Sequence, residues 1–288
     1  MLLKKSTLQL LRFPFSFFLM PVFWFALSFT QQINWLHAIA AFLLLHVLLY
    51  PASNGYNSYM DRDTESIGGI EKPMEPSYEL YLTSLSMDLL ALIFAFIVSI
   101  KLGFGFLCYI LFSRLYSWRK IRLKQYPIIG YLTVILNQGA LVFYMVFDVC
   151  SKAPSPTVPL DLLIAASLLI GGFYPITQIY QHKQDQEDGV KTISILLGKN
   201  GTFLFCMTLY VLAFGILFWH FNQQSALKYF YLLQLFFLPV VTYFLYWFYK
   251  VWKNPAEAGF KQTMFMNWLA SSCTNAAFIT LLIFNYFG

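Results

Sequence analysis

The sequence predicts an all-α integral membrane protein with nine transmembrane helices, and three observations carry that prediction. Charged residues make up only 11% of the 288 and apolar residues 59%, against about 25% charge in a soluble domain. Nine apolar stretches approach the length of about 20 residues that a spanning helix needs. Lysines and arginines collect in alternate loops, as the bias toward cytoplasmic loops requires. Backbone polar groups find no water in a bilayer, so helix is the expected form of each stretch.

The stretches lie near 13–31, 35–53, 80–100, 103–118, 127–147, 158–178, 201–221, 227–249 and 264–286. The first follows Lys4, Lys5 and Arg12 and could be mistaken for a secretory signal. Its apolar run exceeds the about 7–15 residues of a signal core, and no small-residue cleavage site follows, so it is expected to span. The fourth is short and carries Arg114 near its end. With a cytoplasmic N-terminus and all nine crossing, 16 of the 19 basic residues are cytoplasmic, and only Lys101, Lys152 and Lys228 are not. Merging or dropping a span destroys that split, which places the C-terminus outside. The net charge of +6 is then loop charge, and no nucleic-acid partner is expected. The four cysteines, Cys108, Cys150, Cys206 and Cys273, are scattered without metal-binding spacing. The chain is expected to form one domain over 1–288.

The acidic residues do not follow the basic ones. Of thirteen, nine fall in two segments: Asp61, Asp63, Glu65, Glu71, Glu75 and Glu79 after the second span, and Asp185, Glu187 and Asp188 after the sixth. These segments match at a constant offset of 124 residues, Tyr50-Pro51 with Tyr174-Pro175. Ser53 then pairs with Thr177, Asn54 with Gln178, Tyr56 with Tyr180, Asn57 with Gln181, Asp61 with Asp185 and Asp63 with Glu187. Duplication of a helical unit accounts for this, with halves of about 10–125 and 126–288 and motif loops at 54–79 and 178–200.

Asn54, Asn57 and Asp61 stand at i, i+3 and i+7, one face of a helix, and Gln178, Gln181 and Asp185 repeat the spacing. Polar groups at the end of a span face a protein interior or a wet cavity. Two such faces together give an oxygen-only ligand set, which suits Mg²⁺, with His182 a lone imidazole. Carboxylates alone would repel a phosphate ester, but Arg119, Lys120, Arg122 and Lys124 lie between spans four and five on the same side. Arg62, Lys72, Lys183 and Lys191 lie within the acidic segments. Such cations bind phosphate oxygens through charge-assisted hydrogen bonds. Asn137 and Gln138 sit inside the fifth span, lining a cavity or bonding between helices.

With these residues the chain resembles the UbiA-type intramembrane prenyltransferases over nearly its whole length. That family has nine helices and aspartate-rich motifs after the second and sixth. Its first motif, NDxxDxxxD, meets Asn54-Gly55-Tyr56-Asn57-Ser58-Tyr59-Met60-Asp61. Its second, DxxxDxxxGxxT followed by Leu-Gly, meets Gln181, Asp185, Gly189, Thr192 and Leu197-Gly198. The segment 116–124, YSWRKIRLK, resembles the family's Tyr-Ser/Thr-x-x-Lys loop, and Arg12 matches an arginine common before the first span. The departures are systematic: Gly55 and Asn57 stand for the first two aspartates of the first motif, and Gln181 for the first of the second. Asp61 and Asp185 remain; Asp63, Glu65, Glu187 and Asp188 are compensating acids if the loops fold back.

The resemblance implies transfer of a prenyl group from an allylic prenyl diphosphate to a lipophilic, usually aromatic, acceptor. It implies Mg²⁺ held by Asn54, Asn57, Asp61, Gln181 and Asp185, with Asp61, Asp185 and Lys124 catalytic. Arg12, Asn54, Asn57, Arg62, Lys72, Tyr116, Arg119, Lys120, Arg122, Asn137, Gln178, Gln181 and Lys191 are the expected substrate contacts. The expected setting is a bacterial cell (inner) membrane, with the site facing the cytoplasm. A member that binds a lipid diphosphate without transfer is the alternative reading. A transporter is a further one, disfavoured because the polar residues lie at span ends and few breaks interrupt the spans.

Overall fold

The computed structural model of the protein describes residues 3–153 and 155–287. Among them, nine helices are long and apolar enough to cross a membrane. They are α1 (Lys5–Phe29), α2 (Trp35–Asp61), α3 (Tyr78–Val98), α4 (Ile100–Ser117), α5 (Pro127–Cys150), α6 (Leu160–Gln178), α7 (Ile193–Gln223), α8 (Leu227–Lys253) and α9 (Phe260–Tyr286). No strand occurs among the described residues, only the isolated bridges Ile33–Ser151 and Ile67–Ile70. α1 packs between α5 and α9, α6 lies against α5 and α7, and α8 links α7 to α9. The hairpin α3–α4 leans on α2.

The core between these helices is largely aromatic. Phe25 stacks on Phe278 at 4.5 Å and meets Phe143 at 5.0 Å, and all three are almost fully buried. Offset and edge contacts of this kind add about 0.5–1.5 kcal/mol beyond area burial. Outward-facing side chains are also apolar: Leu36, Ile97, Leu235 and Ile100 are each about 70% exposed or more. Such a surface is stable only against lipid.

Several helices are interrupted, and most interruptions have a local cause. α2 and α6 each carry a proline one turn before their motif. Pro51 lacks a backbone donor and crowds the carbonyl four residues back, and Leu44–Leu49 before it widens into π-helix. Beyond Pro51, α2 resumes and runs to Asp61. After Pro175, α6 tightens into a 3₁₀ turn, Pro175–Gln178, and stops. A second π-helical stretch, Leu136–Leu141, lies in α5. There Gly139 lets α5 touch α6: a Cβ on it would meet the Cα of Ser167 at 2.6 Å.

These ends redraw the motif segments. The first was expected as a loop over 54–79, but Asn54 to Asp61 are helical and the loop begins at Arg62. Arg62 caps α2 in a left-handed conformation, φ 56. The second segment contains a short helix, His182–Glu187, and α7 starts at Ile193 with Thr192 capping it. The i, i+3, i+7 helical face therefore holds for Asn54, Asn57 and Asp61. It fails for Gln178, Gln181 and Asp185, which span a break.

Candidate active site

The motif-bearing ends of the helices enclose a cavity of about 190 Å³. Its polar lining includes Arg12, Asn54, Asn57, Asp61, Asp63, Tyr116, Lys124, Asn137, Gln178, Gln181 and Asp185. Phe18, Ile170 and Phe173 also line it, and the same three line a second cavity of about 300 Å³ whose other walls are almost entirely apolar. A charged chamber thus adjoins a greasy one across three shared side chains.

Asp61 sits at the centre of the polar chamber's charges. Its side chain is 3% exposed. Lys124 Nζ approaches one oxygen at 2.6 Å and Arg122 Nη2 the other at 3.4 Å. Asn57 donates to Asp61 at 2.8 Å and to Ser117 Oγ at 3.0 Å. Arg119 donates to the backbone carbonyls of Met60 and Asp61 at 2.5 and 3.0 Å. Arg122 also bonds Asp188, through both its side chain and its carbonyl, and Arg119 lies 3.6 Å from the same carboxylate. Partial burial opposes ionisation of Asp188, but the hydrogen bond and charge of Arg122 outweigh it and hold this carboxyl below its ordinary range. The loop between α4 and α5 is thereby fastened to both motifs.

Arg12 occupies the break in α1, at φ 50. It donates to the Asn54 carbonyl at 3.3 Å, to Asn57 Oδ1 at 3.4 Å and to the Gly68 carbonyl at 3.4 Å. The loop after α2 lies over the chamber. Ile67 and Gly68 line it, Gln181 donates to the Ser66 carbonyl at 3.3 Å, and Gln184 donates to Asp63 at 2.7 Å. Asp63 and Asp185 differ from Asp61. Burial, with Asp61 nearby, pushes Asp63 up to about 6. Burial likewise pushes Asp185 up to about 7, against the pull of Lys124.

The donor set fits a hard cation. It consists of the carboxylates of Asp61, Asp63 and Asp185 and the amide oxygens of Asn54, Asn57, Gln178 and Gln181. Gln178 Oε1 is buried without a partner, while its Nε2 donates to Tyr174. No three His, Cys, Asp or Glu side chains among the described residues converge to hold a metal unaided. That fits a metal that completes its shell with water and phosphate oxygens, as Mg²⁺ does. His182 is absent from the lining; its Nε2 lies 2.7 Å from Ser194 Oγ, which is fully buried.

Most of the expected residues meet here. Tyr116 bonds Tyr174 through the two hydroxyls, and Asn137 donates to the Tyr109 carbonyl at 3.1 Å while lining the chamber. Arg119 and Arg122 reach it through Asp61. Arg62, Lys72, Lys120 and Lys191 do not meet it: all four are exposed and outside the lining. Arg62 points at the Tyr59 ring and Lys120 at Trp118. Gly55 also needs correction as an acid position. A Cβ there would meet Ser84, Leu11 and Leu80, on the face away from the chamber. Counting back from Asp61 in the motif's own spacing, Asn57 and Asn54 hold the two aspartate positions, and both line the chamber. Of the compensating acids, Asp63 folds inward and Asp188 joins Arg122. Glu65 and Glu187 stay exposed beside Lys183.

Known proteins share this fold. A UbiA homolog from Archaeoglobus fulgidus, bound to DMAPP and Mg²⁺, superposes with a TM-score of 0.72 at 18% identity, covering 96% of this chain and 99% of that one. The same homolog bound to GPP and Mg²⁺ gives 0.71 at 19% identity, with the same coverage. A UbiA homolog from Aeropyrum pernix K1 gives 0.66 at 15% identity, covering 93% and 98%. Naringenin 8-dimethylallyltransferase 2, chloroplastic, from Sophora flavescens is 24% identical over 206 residues, 66% of this chain. The chain spans about half the length of that relative, 49% of which is matched. The sequence model of the UbiA prenyltransferase family matches residues 18–269, so this multi-pass membrane protein belongs to the UbiA prenyltransferase family.

Proposed function

We propose that the protein transfers a prenyl group from an allylic prenyl diphosphate to a lipophilic, aromatic acceptor, with Mg²⁺. The observation that carries this reading is the junction at Phe18, Ile170 and Phe173, where a charged chamber meets an apolar one. A prenyl diphosphate is an amphiphile of that shape: the diphosphate suits the first chamber and the hydrocarbon the second. The DMAPP and GPP bound to the Archaeoglobus fulgidus homolog and the naringenin for which the Sophora flavescens relative is named point the same way. The basic loops on the motif-bearing side support a site facing the cytoplasm, and a bacterial inner membrane is the proposed setting. The matched motifs at Tyr50 and Tyr174 support duplicated halves.

In this reading Arg12, Lys124 and Arg122 present charged donors to the diphosphate, where donors fixed in place before reaction stabilise developing negative charge. Asn57 and Asp61 hold Lys124 in position. The motif oxygens of Asn54, Asn57, Gln181 and Asp185 would hold Mg²⁺, which supplies Lewis-acid neutralisation of the leaving diphosphate. The loop carrying Asp63 to Gly68 covers the chamber and limits water access to an allylic cation. Aromatic faces at the junction, Phe18 and Phe173, stabilise such a cation by about 0.5–2 kcal/mol each.

One observation favours a binder without transfer. Three family aspartate positions carry the amides Asn54, Asn57 and Gln181, and Asp61 is already neutralised by Lys124. The experiment is single-turnover transfer of radiolabel from dimethylallyl or geranyl diphosphate into lipid extracts, with and without Mg²⁺, on wild type and Asp185→Asn. Product that needs Mg²⁺ and Asp185 supports transfer. Bound diphosphate with no product in any extract supports the binder.

A further inference from the structure

Asp63 lies outside both family motifs, yet the structure brings it into the chamber. α2 ends at Asp61, and Arg62 turns the chain through a left-handed residue, φ 56. The following side chain therefore points back into the lining instead of outward. Gln184, the neighbour of Asp185, fixes it there with a 2.7 Å hydrogen bond. The equivalent position in the second motif, Glu187, is 65% exposed and its nearest cation is Lys183. So this inward acid is present in one motif only.

The cations divide the three acids of the chamber into two kinds. Lys124 and Arg122 both pair with Asp61. Arg122 and Arg119 pair with Asp188. Arg12 spends its hydrogen bonds on the oxygens of Asn54, Asn57 and Gly68. Among the described residues, no lysine or arginine forms an ion pair with Asp63 or Asp185. The same chamber is lined by Gln178, 7% exposed, with its side-chain oxygen unpartnered. Two partly buried carboxylates outside any ion pair, in one chamber with an unpartnered amide oxygen, form a site short of positive charge. A divalent ion is the simplest group that supplies it.

We infer that Asp63 replaces the carboxylates missing at positions 54 and 57, and that Asp63 with Asp185 is the metal-facing pair. Asp61 is then a positioning residue that aims Lys124 and Arg122 at the diphosphate. This assignment rests on the diphosphate–metal reading of the chamber but not on turnover.

The test uses the full-length protein in detergent, with free Mn²⁺ counted by electron paramagnetic resonance and inorganic pyrophosphate binding measured separately by calorimetry. Asp63→Asn keeps the shape and the bond from Gln184. It should weaken Mn²⁺ binding at least about tenfold, the lower bound for losing even a residue that only orients a ligand. Asp185→Asn should do the same, and Asp63→Glu should recover part of the loss. Asp61→Asn should keep Mn²⁺ affinity within about threefold and lose pyrophosphate affinity by about tenfold. Glu187→Gln should change neither. Thermal unfolding of each variant separates a lost ligand from a lost fold. Unchanged Mn²⁺ affinity in a folded Asp63→Asn, or its loss in Asp61→Asn alone, overturns the assignment. Wild-type protein that binds Mn²⁺ and pyrophosphate but forms no product overturns the transfer reading and leaves this one standing. Wild-type protein that binds neither overturns both.

Discussion

Replacing Lys124 by Met removes one charge from the chamber and leaves its shape nearly intact. Asp61 is then buried with Arg122 and Asn57 as its remaining partners. Coulomb attraction falls as the inverse of distance. Arg122 at 3.4 Å therefore supplies about three-quarters of the attraction that Lys124 supplies at 2.6 Å. Stripping a buried ion of its whole partnership costs about 3–5 kcal/mol. With about half of the cationic attraction retained, the expected loss is about 2 kcal/mol. Diphosphate binding loses a charge-assisted hydrogen bond, about 1.5–3 kcal/mol, which is about 10–100-fold in affinity. The two effects separate in a double variant. Lys124→Met with Asp61→Asn removes both charges, so most of the stability returns, while the affinity does not. Thermal unfolding by intrinsic fluorescence and pyrophosphate calorimetry, on the two single variants and the double, complete the cycle. A double variant no more stable than Lys124→Met refutes the pairing. Wild-type pyrophosphate affinity in Lys124→Met refutes its role at the diphosphate.

Two further outcomes follow from the same geometry. Asp63 and Asp185 hold protons to about pH 6 and about pH 7, well above an ordinary aspartate. Their contribution to stability is therefore complete only below the ordinary aspartate value, about pH 4, and is lost as pH rises through 6 and 7. Metal-free protein should lose thermal stability between about pH 4 and about pH 7, and Mg²⁺ should restore it mainly at the upper end, with proton release on binding; a flat profile from about pH 4 to about pH 7 counts against the pair. Gly139→Val places a side chain on Ser167 backbone at 2.6 Å and should cost about 1–3 kcal/mol by forcing α5 from α6, seen as a lower unfolding midpoint; wild-type stability would mean that the helices do not touch there.

The parts of the fold set by hydropathy were readable from the chain, because lipid forces each apolar stretch into a helix. The chamber was readable where a helix continued: the spacing of Asn54, Asn57 and Asp61 placed them on one face, and α2 does run to Asp61. It was not readable where the backbone turned. Asp63 enters because Arg62 adopts a left-handed conformation, which no periodicity encodes. Gln178, Gln181 and Asp185 still converge, but through a broken chain after Pro175, so their agreement with a helical spacing was right in outcome and wrong in cause. The cations show the same limit. Nothing in their order separates Lys124, 2.6 Å from Asp61, from Lys120, which faces Trp118. Lys72 and Lys191 follow acidic motifs and point to solvent. Glycine was misread for a related reason: Gly55 serves the packing of α2 against Leu11 and Leu80, while its neighbour Asn54 faces the chamber.

Three arginines, Arg12, Arg62 and Arg122, stand at φ 50, 56 and 49. A left-handed backbone costs a residue with a side chain about 1–2 kcal/mol, a cost that glycine escapes. Anyone selecting hardier versions of this protein for purification would be led to glycine at all three positions. Arg62 can be traded in this way, since its side chain is exposed and serves no chamber contact. Arg12 cannot, because the same exchange removes a guanidinium from the chamber, and Arg122 cannot, because it removes the partner of Asp61 and Asp188. A library screened on heat resistance alone would enrich damaged sites, and position 62 is where such engineering should start.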